Sequence, residues 1–341
     1  MSGEAAVPQA SARGEALRAL APAKVNLGLF LGPMRERDGR HELVTVMQSI
    51  SLADEVTLEA LAGGGLADEV LCPGVPGPPQ ENLAARALAA FRAATGWSDP
   101  AVRITVAKRI PLAAGLAGGS ADAAAVLRLA AHASGLGEER LLRSLAQELG
   151  ADVPAQVAPG RWLATGAGER LRELPAPAAP FGLVVLPLAA ELSTAAVYAE
   201  ADRLGLARAG AELAQRHEEL LSSLGGGAPL PSATELLHND LQRAAVSLCP
   251  SIARELAAVV RAGADLALVS GSGPTVLGLC LPVPGRPAAE ARERAERVAG
   301  ALAGRVPAPI LAEPVDAAFA RSQRAAFARP QRASQSPADD R

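Results

Sequence analysis

The residues best placed by type and spacing to do chemistry form one short stretch, Pro111-Leu112-Ala113-Ala114-Gly115-Leu116-Ala117-Gly118-Gly119-Ser120-Ala121, followed by Asp122 and a run of alanines. Its side chains are short, so backbone N–H groups can approach an anion closely. Ser120 is the expected N-cap of the following helix, read as Ser120–Ala133. Its hydroxyl, the first unpaired N–H groups and the positive end of the helix dipole then face one point, a natural place for a phosphate. The stretch lacks the Gly-Lys-Ser/Thr of a Walker A loop, and the spacing and distal acidic residue of a dinucleotide fingerprint. The plainer alternative is a glycine-rich turn before a capped helix.

Lysine usage is the second chemical signal. Of 33 lysines and arginines only two, Lys24 and Lys108, are lysine. The chain evidently accepts arginine at generic surface positions. A retained lysine is then either an ordinary surface residue or a place where a compact ammonium is wanted, since guanidinium is larger and planar.

These residues need elements to hold them. Leu20–Phe30 reads as a strand leading to a polar turn, Arg35–Arg40. On such a strand Lys24 and Asn26 point the same way. His41–Leu61 reads as extended, Glu81–Thr95 as a helix stopped by Gly96, and Ala101–Ile110 as a strand just before the glycine loop. A helix over Glu138–Leu149 ends at Gly150, and Asp152 follows in Gly150-Ala151-Asp152-Val153-Pro154. Gly63–Gly65, Pro73–Pro79 and Gly225–Pro231 are expected loops. Phe181–Leu186 is an expected buried strand. Ser193–Leu204, Leu236–Val246, Ser251–Arg261 and Ala288–Leu302 read as helices, and Leu266–Val269 and Val276–Leu281 as paired strands around Ser270–Thr275. Strands and helices mix in both halves, which favours an α+β protein. The proline- and alanine-rich Arg172–Pro180 is the expected boundary. The resulting division is a disordered tail over 1–18, domains over 19–175 and 176–315, and a second disordered tail over 316–341. Trp97, Trp162 and Phe181 are expected core or interface residues.

Composition narrows the function classes. A chain of 341 residues with 49% hydrophobic and 20% charged residues is long enough for two cored domains. A net charge of −3 argues against a general nucleic-acid binder. The most apolar stretch, Phe181–Val197, is broken by Pro187 and Glu191 and is too short to span a bilayer. Glu4 and Glu15 sit where a secretory signal would need an apolar run. The 3 cysteines, Cys72, Cys249 and Cys280, lie too far apart for a disulfide framework or a zinc site. The expected setting is the cytoplasm, with no membrane partner and no nucleic acid, as a monomer or weak homodimer.

Three stretches then form a set: Ala21-Pro22-Ala23-Lys24-Val25-Asn26-Leu27-Gly28-Leu29, the glycine loop, and Val269-Ser270-Gly271-Ser272-Gly273-Pro274-Thr275. In order and spacing this set resembles the three motifs of the GHMP kinase family. Narrower signatures accompany it: Asp38-Gly39-Arg40-His41-Glu42-Leu43, Gln48-Ser49-Ile50-Ser51-Leu52, Asp54, Glu81-Asn82-Leu83, Gly166-Ala167-Gly168-Glu169 and Asn239-Asp240-Leu241. With them the chain is similar, over about residues 20–315, to the branch of that family acting on a cytidylyl-capped polyol. Homoserine, mevalonate and galactose kinases share the triplet without these signatures.

The resemblance implies a two-domain architecture: an N-terminal domain like ribosomal protein S5 domain 2 and a ferredoxin-like C-terminal domain. It implies phosphorylation of the 2-hydroxyl of 4-diphosphocytidyl-2-C-methyl-D-erythritol by ATP with Mg²⁺, a step of isoprenoid synthesis. Asp152 would be the base, with Lys24 beside it and Asn26 contacting substrate. Asn82, Lys108 and the loop Pro111–Ala121 would bind ATP, with Ser120 near the metal. His41 would read the cytosine edge and Tyr198 would stack on the ring. Arg40 stands where a second aromatic is usual, and a guanidinium plane can also stack on a pyrimidine. Ala113, Ala114 and Ala117 replace loop glycines, which leaves their N–H groups free if φ stays negative. Gly271, Ser272 and Gly273 would back the loop. The alternatives are another GHMP kinase, acting on homoserine or a mevalonate-like alcohol, and a non-catalytic nucleotide-binding relative.

Overall fold

The computed structural model describes residues 16–61, 67–98, 101–230, 235–287 and 289–324. Most of the expected tails (1–15 and 325–341) and the Gly63–Gly65 loop lie outside these residues.

The first half runs β1 (Leu17–Met34), β2 (His41–Ala60), β3 (Glu69–Leu71), α1 (Leu83–Thr95), β4 (Val102–Ala107), α2 (Gly118–Ser134), α3 (Glu139–Leu149), α4 (Val153–Val157), β5 (Arg161–Gly166) and β6 (Arg170–Leu174). The second runs β7 (Gly182–Leu186), α5 (Thr194–Arg203), α6 (Gly210–Leu224), α7 (Gln242–Leu248), α8 (Ser251–Arg261), β8 (Leu266–Val269), β9 (Val276–Cys280), α9 (Ala289–Ala301), β10 (Ile310–Ala312) and β11 (Gln323–Arg324).

The long antiparallel pair β1–β2 is the spine of the first sheet, whose order is β11-β1-β2-β4-β3. One end of β2 pairs with β4 and the other with β5, which also carries β6. The second sheet has order β10-β7-β9-β8, entirely antiparallel. With α8 and α9 packed on it, this is the split βαββαβ arrangement expected of a ferredoxin-like domain.

Alternation along the strands sets the layers. Val25, Leu27, Val44, Val46 and Leu163 of the first sheet share one cluster with Leu183, Val185, Leu277 and Leu279 of the second. The far face of the first sheet is covered by α1–α3 through Val56, Ile104, Leu88, Phe91 and the alanine-rich α2. That of the second is covered by α5 and α7–α9 through Val184, Val197, Val259 and Val298. Trp97, Trp162 and Phe181 are buried, as expected. Among the described residues no helix is long and apolar enough to cross a membrane.

Several expectations are corrected. β1 starts at Leu17, and residues 316–324 form a turn and β11, which pairs with Leu17 and Arg18. The edge of β1 thus orders chain that composition assigned to tails. The boundary segment is strand as far as Leu174, leaving 175–181 as the link between sheets. The helix expected from Leu236 begins only at Gln242, because His238–Asp240 pair with β1 instead: the Leu29 N–H donates to His238 O, and the Asp240 N–H to Leu29 O. Strands β5 and β6 and helix α6 were not expected.

Candidate active site

β1 delivers the first two functional side chains, and its irregularities aim them. Its register with β2 shifts between Pro22 and Lys24 and again between Asn26 and Gly28. Such bulges re-aim side chains, and Pro22 has no N–H to keep a regular ladder. Lys24 is buried, and its Nζ donates to Asn26 Oδ1 at 2.9 Å. Asn26 Nδ2 donates to Thr45 Oγ1 at 2.8 Å, and that hydroxyl donates to Gly28 O at 2.6 Å. The chain has one sense of donation throughout, so the Asn26 amide can face only one way. Sequence reasoning missed Thr45; a lone hydroxyl within a buried strand was its only signal.

Asp152 lies 3.5 Å (Oδ1) from Lys24 Nζ. It precedes α4, where its side chain caps nothing and stays partly exposed. The Lys24 N–H donates to Leu116 O, which fixes this pair beside the glycine loop.

The loop differs from expectation in two ways. Helix α2 starts at Gly118, with Ala117 as its N-cap, so Ser120 sits inside the first turn. Gly118 allows this: a Cβ there would stand 3.1 Å from the Ile110 side chain and 3.3 Å from Lys108 Nζ. The proviso on the alanines also fails at two of them, since Ala113 and Ala117 adopt φ 53° and 55°. Left-handed alanine costs about 1–2 kcal/mol each, so the surroundings must hold the loop in shape. Thr275 Oγ1 donates to Ala114 O at 2.7 Å, and a Cβ at Gly115 would come within 2.7 Å of Gly273 O. The Ser270–Thr275 turn therefore backs the loop, as expected. Asn239, which sequence reasoning noted only as a signature, holds that turn by donating to Val269 O and Gly271 O.

Beside the loop, Asn82, Lys108, Leu112 and Gly119 line a cavity of about 360 Å³. Asn82 caps α1 by accepting from the Ala84 N–H. Lys108, expected to bind ATP, is held by two carboxylates at the edge of this cavity. Its Nζ donates to Asp54 Oδ2 at 2.5 Å and to Asp122 Oδ2 at 2.7 Å. Burial alone would lower this ammonium, but Asp122 and Asp54 outweigh it and push it up. One ammonium cannot fully serve two buried carboxylates. Asp54 also accepts the Arg109 and Ile110 N–H groups, whereas Asp122 Oδ1 has no partner. Burial, opposed by Lys108 and reinforced by Asp54, pushes Asp122 up to about 7.

The second group of site residues lies where β2 begins. The turn before it is braced by Arg35, which forks onto Asp38 and donates to Glu169 Oε1 at 2.5 Å. Burial of Glu169 is outweighed by this bond and by backbone N–H donors, which hold its carboxyl down to about 2. Arg40 is exposed and donates to Ala167 O at 2.9 Å. His41 is buried; its Nδ1 lies 2.8 Å from Gly32 O, so that nitrogen carries the proton. The Tyr198 ring, on α5, stands 5.8 Å from the His41 ring. Burial, then the charge of Asp152, pushes the Tyr198 phenol up against the opposing pull of Arg40. The same fields tie this corner to the Lys24–Asp152 pair. One more group enters it: Asp202 Oδ1 is 2.9 Å from His41 Nε2. Sequence reasoning missed Asp202, although its place one turn after Tyr198 was readable.

Comparison with known proteins identifies the family. Residues 82–160 match the GHMP kinases N terminal domain, and 212–307 the GHMP kinases C terminal domain. The 4-diphosphocytidyl-2-C-methyl-D-erythritol kinase of Anaeromyxobacter dehalogenans (strain 2CP-C) is 45% identical over 275 residues, 79% of this chain and 82% of that protein. The protein of the same name from Corynebacterium efficiens is 41% identical over 270 residues, 75% of this chain and 82% of its own length. A crystal structure of 4-(cytidine 5'-diphospho)-2C-methyl-D-erythritol kinase superposes with TM-score 0.66 at 33% identity, covering 87% of this chain and 98% of that one. A homoserine kinase from Cytophaga hutchinsonii reaches TM-score 0.67 at 17% identity over 92% of this chain and 99% of its own, a likeness of fold alone. With relatives of this identity and coverage, and both domain families matched in order, the chain belongs to the 4-diphosphocytidyl-2-C-methyl-D-erythritol kinases within the GHMP kinase family.

Proposed function

We propose that this protein transfers the γ-phosphoryl group of ATP to the 2-hydroxyl of 4-diphosphocytidyl-2-C-methyl-D-erythritol, with Asp152 as the base. The observation that carries this reading is the Lys24–Asp152 pair, 3.5 Å apart and tied through the Lys24 N–H to the glycine loop. Asp152 takes the hydroxyl proton as the oxygen attacks the γ-phosphorus; the bond to the β,γ-bridging oxygen breaks, and ADP leaves with that electron pair. Lys24, oriented by Asn26, keeps a positive charge at the attacking oxygen. The first-turn N–H groups of α2 have no intrahelical acceptor and are suited to phosphate oxygens.

Among the described residues no three His, Cys, Asp or Glu side chains converge into a metal cage. That suits Mg²⁺, which keeps waters and is held largely by nucleotide phosphates; Ser120 in the first turn would add its hydroxyl. When bound, Mg²⁺ supplies charge neutralisation at the phosphates. His41 and Tyr198 form the nucleobase corner, which homoserine or a mevalonate-like alcohol would leave unused.

The test is turnover of ATP with the cytidylyl substrate, wild type beside Asp152→Asn. The variant should lose about 10²–10⁴-fold in kcat with little change in either KM. The carboxylate caps no helix but is the ion-pair partner of buried Lys24, so the variant's melting temperature is measured beside its kcat to separate lost chemistry from lost fold. An inactive wild type, or a fully active variant, overturns the reading.

A further inference from the structure

His41 Nε2 is buried, and the Asp202 carboxylate stands 2.9 Å away without the alignment of a hydrogen bond. Asp202 forms no other ion pair among the described residues, while the adjacent Arg203 is taken by Glu200. The side chain is 41% exposed, so it can meet a ligand. It follows Tyr198 by four residues on α5, on the same helical face. The helix that brings the aromatic ring to His41 thus also brings a carboxylate to the imidazole edge.

We infer that Asp202 is a specificity residue: its carboxylate accepts a hydrogen bond from the 4-amino group of the cytosine ring and rejects the 4-carbonyl of uracil. This rests on the proposed function and names a determinant within it. With Nδ1 committed to Gly32 O, Nε2 accepts when the ring is neutral and donates when it is charged. The carboxylate beside it, when ionised, only accepts. A base edge presented here therefore meets one fixed acceptor whatever the histidine does. An amino group satisfies it, and a carbonyl oxygen leaves two lone-pair-bearing groups facing each other. Carboxylates accept from the cytosine amino group for the same reason in nucleic-acid recognition. Discrimination built on an unpaired polar group is strong compared with discrimination by shape.

The test measures binding without turnover, using cytidine 5'-diphosphate and uridine 5'-diphosphate as probes in calorimetry on wild type, Asp202→Asn and Asp202→Ala. The wild type should prefer the cytidine compound at least about tenfold. Asp202→Asn should weaken cytidine binding about tenfold and leave uridine binding equal or tighter, since an amide also donates; Asp202→Ala should weaken only the former. Turnover should show the same loss in KM with kcat within about threefold. A wild type with equal affinities, or variants that keep the wild-type ratio, overturns the assignment. If the wild type phosphorylates the cytidylyl substrate while the ratio ignores Asp202, only this assignment fails. If it binds neither probe and leaves the substrate untouched, the proposed function fails with it.

Discussion

Thr45 touches none of the reacting groups in the proposed reaction, yet its hydroxyl decides which way Asn26 faces. It accepts from Asn26 Nδ2 and donates to Gly28 O, leaving Asn26 Oδ1 for Lys24. Removing the hydroxyl while keeping the shape, as in Thr45→Val, strands a buried amide N–H and a buried carbonyl, at a cost of about 1–3 kcal/mol each if neither finds a new partner. The freed amide can then turn its nitrogen toward the Lys24 ammonium. Thr45→Val is expected to lower kcat/KM about tenfold, mostly through kcat, whereas Thr45→Ser should stay within about twofold. Steady-state kinetics on the pair decides this, and equal activity in the two variants would mean that Lys24 does not depend on the relay.

At the scale of elements, α2 carries both the turn proposed to meet phosphate and Asp122, which lines the cavity beside the glycine loop, so the charge state of Asp122 bears on the proposed nucleotide site. The Asp122 carboxyl stands at about 7, raised from 3.8 by burial. Between about pH 4 and pH 7 the folded chain therefore holds a proton that the unfolded chain has released. That contribution to stability is fully present below the unfolded value and is lost as pH rises through 7. Lys108 is raised above 10.5, so its own contribution is intact throughout this range. Asp122→Asn cannot ionise. Its stability relative to the native chain should improve by about 1 kcal/mol or more between pH 5 and pH 8, read from denaturant midpoints at the two values. A difference that does not move with pH would mean Asp122 titrates elsewhere.

The same elements show what could be read from sequence. Local signals worked: Gly96 ends α1 with φ 68° where a glycine stop was expected, and the short apolar runs of β7, β8 and β9 gave strands close to those found. Non-local ones did not. Helix α6 buries Leu213, Leu220 and Leu224, but it starts at an uncapped Ala209 and is rich in charge, so its first turn carries no capping signal. β5 opens with Arg161, a side chain that is almost fully buried and donates to Gln48, against every local rule for a core strand. The Ser120 cap failed because two glycines let the helix begin earlier. In the candidate site, Lys24, Asn26 and Asp152 were named from the motifs, and His41 and Tyr198 from the resemblance; the structure brings Lys24 to Asp152 and His41 to Tyr198. Thr45 and Asp202 were not, since each matters only through a neighbour distant in sequence, and Asp54 stood out only as a signature, without its tie to Lys108.

The whole molecule is joined by more than its linker. One apolar cluster takes side chains from both sheets, the Ser270–Thr275 turn backs the glycine loop, and His238–Asp240 pair with β1. Asp240 is the polar centre of that junction: it accepts from the Leu31 N–H, from both ends of the Arg208 fork and from His238. Burial opposes its ionisation, but these donors hold the carboxyl down to about 2, so its contribution is present above about pH 4 and lost only as pH falls through 2. Two halves that share a core, and a second-half carboxylate that accepts the Leu31 N–H of β1, cannot unfold separately without exposing both. Calorimetry near neutral pH should therefore show one transition. Asp240→Ala takes the acceptor from the Leu31 N–H and from two Arg208 donors, with Glu212 still paired to Arg208, and should cost about 1–3 kcal/mol, moving that single transition down as a unit. If the variant instead splits it into two peaks, with the glycine-loop half melting at the original temperature, the junction is a contact between independent domains, and the glycine loop does not rely on the turn behind it.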